Sequence, residues 1–196
     1  MLEDLRGKAV LITGASIGIG AAAALAFGRL GANVAVNYNK NAEAAEAVCA
    51  AIQKLGSKAV AIGGDLGVPG TAIRVVEEAA KQLGRLDILL NNAGAMIRRA
   101  PFLELDSELY DAAMNLNVKS VIEASQAAVP HMEKQGGGAI INVGSIAGAD
   151  GGGPGSGHYA CAKAYVHNLT RHMARDLASR KIRVNAISPG VIETAF

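Results

Sequence analysis

Tryptophan is absent from this chain, and it holds only three phenylalanines and four tyrosines. A core without large aromatics must be closed by small side chains, and the many alanines and 24 glycines suit helices packed tightly on a sheet. Cysteine occurs twice, at Cys49 and Cys161, which excludes a disulfide framework and fits a reduced, cytoplasmic compartment. No Cys/His cluster has the spacing of zinc ligands, so no metal site is expected. No apolar run approaches the roughly 20 residues that cross a bilayer. The opening Met1-Leu-Glu-Asp-Leu-Arg6 lacks a basic segment followed by an apolar one, so neither a membrane span nor a secretory signal is expected. A net charge of +2 is too small to draw nucleic acid or an anionic membrane.

What is present is an alternation of apolar strands and amphipathic helices. Ala9–Ile12 reads as a strand covered on both faces, followed by a glycine turn and a helix through Ala21–Phe27. Further strands are expected at 33–37, 58–62, 86–90, 139–143 and 182–187. Helices are expected at 42–55, 71–83, 107–132 (one or two, with Pro130 as kink or terminator) and 159–179. This order predicts a single α/β domain over residues 1–196: a doubly wound parallel sheet with helices on both faces. Ligands in such sheets bind beyond the carboxyl ends of the strands, so the loops there carry the functional reading.

In the first of these loops, Gly14, Gly18 and Gly20 permit a tight turn and close approach of backbone to a ligand. The helix that follows turns its positive end toward a phosphate. The same glycines also suit plain helix-on-strand packing, and their Gly-x-x-x-Gly-x-Gly spacing differs from the common Gly-x-Gly-x-x-Gly. After the second strand, Tyr38 stands where an acid would bond an adenosine ribose. Its presence, with Lys40 nearby, favours NADP(H) over NAD(H); a solvated lysine is the plainer reading. Asp65, after the third strand, suits either an adenine amino group or a turn. Asn91-Asn92-Ala93-Gly94 suits either a bridge between loops or a bare turn.

Tyr159 and Lys163 lie four apart and share one helix face. A free phenol titrates near about 10, too high for a base at neutrality. An ammonium at about 4 Å, with an effective dielectric of about 20, contributes about 4 kcal/mol, or roughly three pKa units. Ser145, after the fifth strand, is placed to bond a substrate oxygen. The pair alone is a common chance match. His158 is adjacent to the tyrosine and within reach of substrate. His167 and His172 are expected at the surface or a subunit contact, and Cys161, off the Tyr159/Lys163 stripe, is expected to be buried.

Taken together, these motifs resemble the short-chain dehydrogenase/reductase family, of the kind that reduces 3-oxoacyl thioesters or oxidises sugars. Thr13-Gly14-Ala15-Ser16-Ile17-Gly18-Ile19-Gly20 is similar to its cofactor turn, Asn91–Gly94 to its central loop, and Pro189-Gly190-Val-Ile192-Glu-Thr194 to its nicotinamide turn. The resemblance implies a Rossmann-type fold and hydride transfer between NAD(P) and a carbonyl or secondary alcohol. Tyr159 would be acid in reduction and base in oxidation. Lys163 would lower its pKa and hold the nicotinamide ribose, Ser145 would orient substrate, and Asn117 would hold a water in a proton relay. Cofactor contacts would come from Gly14, Ser16, Ile17, Gly18, Ile19, Tyr38, Asn39, Lys40, Asp65, Leu66, Asn92, Ala93, Gly94, Tyr159, Lys163, Pro189, Gly190, Ile192 and Thr194. A homodimer or homotetramer is implied, built on the two long helices. Family members commonly run on past the Pro-Gly turn, so a substrate lid and a C-terminal strand are expected to be missing, with the sixth strand left as a sheet edge. The rival function is a catalytically silent dinucleotide-binding sensor or scaffold.

Overall fold

Ala9–Ile12 forms β1, and all four residues are buried. The other strands are β2 (Asn33–Tyr38), β3 (Ala59–Gly63), β4 (Ile88–Asn91), β5 (Gly138–Val143) and β6 (Ile182–Ile187). All pair in parallel, in the spatial order β3-β2-β1-β4-β5-β6. The computed structural model describes residues 5–194.

The chain runs outward from β1 through β2 to β3, then returns to the middle and runs the other way through β4, β5 and β6. A crevice must open where these two halves diverge, beyond the ends of β1 and β4. Period-2 alternation sends Val10 and Ile12 to one face, against α1 (Gly18–Arg29) and α2 (Ala42–Lys54). Ala9 and Leu11 go to the other, against α3 (Thr71–Leu83) and α5 (Ser120–Lys134). Small residues allow the close packing expected: a Cβ on Gly28 of α1 would meet Ile52 of α2 at 2.8 Å.

The expected 107–132 segment is two helices, α4 (Ser107–Met114) and α5, joined by one π-helical turn at Asn115–Lys119. Pro130 does not end α5, which continues to Lys134. A short α6 (Ala147–Asp150) and a 3-10 turn at Phe102–Glu104 lie within loops that carry no periodic signal. The last long helix, α7, spans Gly157–Asp176 and packs, through Ala162 and Val166, on Val118 of the π-helical turn and Val121 at the start of α5. Among the described residues β6 is one edge of the sheet, opposite β3, with Arg183, Asn185 and Ile187 exposed.

Candidate active site

A cleft of about 570 Å³ opens at the carboxyl ends of β1 and β4. Its β1 wall is the glycine turn. Gly14 and Gly18 both have positive φ, 59° and 58°, which glycine adopts without strain. A Cβ on Gly14 would reach the Ala93 Cα at 2.9 Å, and one on Gly20 the Gly14 carbonyl at 2.5 Å. Neither position has room for a side chain, so the turn presses directly on the loop after β4.

That contact is stitched by polar side chains. Thr13 Oγ1 accepts from the Asn92 and Ala93 N–H groups, at 2.9 Å each. Asn92 Nδ2 donates to the Thr13 and Gly14 carbonyls, so the bridging reading of the Asn-Asn-Ala-Gly loop is the one realised. Asn37 Oδ1 accepts from Gly14 N–H at 3.1 Å. Helix α1 begins above this turn at Gly18, its N-cap Ile17 offering no side-chain bond and its first turn no acid. Its first N–H groups therefore face the cleft without a partner.

Among the described residues no acid lines the cleft, and the cations there are Lys40 and Lys163. An uncapped helix start, side-chain-free approach and local positive charge together fit a bound phosphate. Thr194 lies close over Gly18, 3.4 Å from where its Cβ would be, so the segment after β6 reaches back across the turn.

Ser145, Tyr159 and Lys163 line the opposite wall. Lys163 is 3% exposed, and its Nζ donates to the Val143 carbonyl at 2.8 Å. Burial pushes its pKa down to about 8. The Lys163 ammonium sits 5.6 Å from the centroid of the Tyr159 ring. Burial of the Tyr159 phenol raises its pKa, and a hydrogen bond with Ser145 pulls it partly back. The expected acidification of Tyr159 by Lys163 is therefore corrected in the protein alone. The ammonium is turned to Val143 and the desolvation of the phenolate dominates. Ser145 Oγ accepts from Ala147 N–H at 3.1 Å, which leaves its own hydrogen to donate.

Four of the residues expected around this centre do not line the cleft. Tyr38 lies against Gly63 of β3, 3.1 Å from where a Cβ there would be. Asp65 folds back to accept from Gly67 N–H, the turn role, and Leu66 is core. Asn117 is fully buried, its Nδ2 donating to the Ala95 and Ala113 carbonyls and its Oδ1 accepting from Ala95 N–H. Gly144, Val143, Leu116 and Asn41 line the cleft without having been singled out. Asn37 carried a signal, a polar residue inside an apolar strand. Cys161 is exposed instead of buried. His158 is buried and bonds the Met96 carbonyl. His172 is at the surface beside Asp176, whereas His167 is drawn in under the Ser145 loop.

A Rossmann-type sheet whose switch-point cleft brings a glycine turn to a Ser/Tyr/Lys set defines an oxidoreductase class. The sequence pattern of the short chain dehydrogenase family matches residues 8–196. The chain belongs to that family and is an oxidoreductase acting on CH–OH and C=O groups. It is 42% identical over 185 residues to 3-oxoacyl-acyl-carrier-protein reductase FabG of Staphylococcus aureus, covering 94% of this chain and 74% of that one. A short chain dehydrogenase of Burkholderia cenocepacia in complex with NADP superposes with a TM-score of 0.91 at 41% identity, covering 97% and 77%. An NADH-dependent reductase, A1-R', complexed with NAD gives 0.93 at 32% identity, covering 98% and 82%.

Proposed function

We propose that the protein is an NADP(H)-preferring carbonyl reductase, with 3-oxoacyl thioesters as the leading substrate class and other small ketones as further candidates. The observation that carries this is the opening of the glycine turn and the Ser145/Tyr159/Lys163 set onto one cleft. A nicotinamide cofactor supplies the hydride when bound. Gly14, Ser16, Ile17, Gly18 and Ile19 would hold its diphosphate, Asn39, Lys40 and Asn41 its adenosine end, and Pro189, Gly190, Ile192 and Thr194 its nicotinamide side. Lys40, with no acid on the cleft wall among the described residues, supports the 2′-phosphate form.

The raised pKa of Tyr159 keeps the phenol protonated at neutrality, which suits a general acid in reduction. Its hydroxyl gives its proton to the substrate carbonyl oxygen, and Ser145 Oγ–H donates a hydrogen bond to the same oxygen. Lys163 keeps two ammonium hydrogens beyond the one bonded to Val143. A Cβ on Gly94 would sit 3.0 Å from Lys163 Nζ and 2.7 Å from Asn117 Oδ1. The two atoms are close enough for one water to link them, so Asn117 and Lys163 form a path that reprotonates Tyr159.

Tyr159→Phe is expected to abolish NADPH oxidation against a panel of 3-oxoacyl thioesters and ketones while leaving cofactor affinity unchanged. The unaltered enzyme is expected to show a higher kcat/KM with NADPH than with NADH. Surviving turnover in the variant, or a preference for NADH, refutes the corresponding part. Binding without turnover in the unaltered protein, across the panel, leaves the silent dinucleotide-binding module. Tyr110 on α4 and Tyr165 on α7, each about half exposed, support assembly into a homodimer or homotetramer through these helices. Sedimentation showing only monomer refutes that assembly.

A further inference from the structure

His167 lies one turn beyond Lys163, on the α7 face that also carries Tyr159. Its ring occupies the underside of the loop after β5. Gly144 and Gly148 are both moulded to it: a Cβ on Gly144 would collide with Nε2 and Cδ2, and one on Gly148 would meet Cε1 at 3.0 Å. Two groups converge on Nε2, the Ser145 main-chain N–H at 3.4 Å and the Ser188 hydroxyl at 2.9 Å. A main-chain N–H can only donate, so Nε2 accepts and the neutral ring carries its hydrogen on Nδ1. Ser145 belongs to the loop after β5. Ser188 opens the loop that brings Pro189 and Gly190 to the cleft. One ring nitrogen thus ties the substrate-orienting serine to the segment on the other side of the site.

We propose that His167 is a positioning residue for carbonyl reduction, holding Ser145 in its working place only while the imidazole is neutral. This rests on the reading of Ser145 as the group that orients the substrate oxygen. Protonation turns Nε2 into a donor. It can then bond Ser188 Oγ, but it faces the Ser145 N–H donor to donor, and that N–H loses its partner. The charged groups against the ring are Lys163 and Arg171, both from its own helix. From the β5 and β6 sides it meets uncharged groups, Gly144, Gly148, Ser145 and Ser188. Burial first, then Arg171 and Lys163, hold the ring below its usual value of 6.5, so the change falls on the acid side of neutrality.

The test compares pH profiles of kcat for the unaltered enzyme, His167→Gln and His167→Leu, with the Ser145 amide followed by NMR. Glutamine presents an acceptor near the Nε2 position and does not titrate. His167→Gln is expected to keep kcat within about threefold at neutral pH and to lose the acid limb. His167→Leu is expected to lower kcat about tenfold with cofactor affinity changed less than about twofold. The Ser145 amide resonance is expected to titrate below pH 6.5 in the unaltered protein and to stay flat in His167→Gln. An acid limb that persists in His167→Gln, or a Ser145 amide indifferent to pH in the unaltered protein, overturns the proposal. The NMR readout needs no turnover, so it judges His167 even if Tyr159→Phe shows the catalytic reading itself to be wrong.

Discussion

In the role proposed for it, Lys163 sets function against stability. A lysine of ordinary pKa 10.5 held at about 8 carries a penalty for its charged form of roughly 3 kcal/mol. The sign follows from proton binding: between those values the unfolded chain holds the proton more tightly than the fold does. This group therefore makes stability rise with pH across that window, with its full cost present below about 8. Lys163→Met removes the charge but leaves the Val143 carbonyl without its partner. The expected net is a gain of about 1 kcal/mol, a midpoint increase of about 2–4 °C by calorimetry, with reductase turnover lost. A lower midpoint counts against the argument. For the unaltered enzyme, reductase activity is expected to fall as pH rises past about 8 and the ammonium is lost.

Helix α7 owes its placement to a buried polar chain at its centre. Asn91 Nδ2 donates to Ser125 Oγ on α5 and to Asn142 Oδ1 on β5. Asn142 Nδ2 donates to Thr170 Oγ1, which donates to the Val166 carbonyl within α7. The chain joins β4, β5, α5 and α7, and every side chain in it is buried. Asn142→Ala strips partners from Asn91 and Thr170 together. A loss of about 2–4 kcal/mol in urea unfolding, with unchanged m-value, is expected, along with reduced kcat as α7 shifts against the Ser145 loop. A loss below about 0.5 kcal/mol would mean that the network adds little to the packing.

Across the molecule the two ends of the sheet do different work. The cleft and the proposed chemistry lie at the carboxyl ends of the strands, and a charged clasp holds the opposite end. Asp87, just before β4, accepts from the Ala9 N–H at 2.9 Å and is paired with Arg85 and Lys8. Burial pushes its pKa up, but the Arg85 and Ala9 hydrogen bonds and the charges of Arg85 and Lys8 leave it lowered overall. A depressed carboxylate contributes stability above its unfolded value near about 3.9, lost as pH falls through the folded one. Asp87→Asn is expected to cost about 2 kcal/mol at pH 7 by chemical unfolding and to leave kcat/KM unchanged below the melting range. A changed kcat/KM with the fold intact would refute the division between the two ends.

The strand-and-helix order, the parallel sheet and the shared face of Tyr159 and Lys163 were legible in the sequence by itself. Each depends on spacing along the chain, and periodicities of 2 and 3.6 are local properties. So were the turn glycines, because a residue without Cβ is visible wherever it stands. Protonation was decided only in the tertiary structure. Tyr159 is raised and Lys163 lowered by burial, and no spacing reports what the rest of the chain packs over them. The same holds for Asn37 pinning Gly14 and for His167 beneath Ser145, pairs 23 and 22 residues apart that meet only when β1, β2, β5 and α7 are assembled. Desolvation and convergence on a shared acceptor are properties of a packed volume, and these parts of the site came into being with the fold.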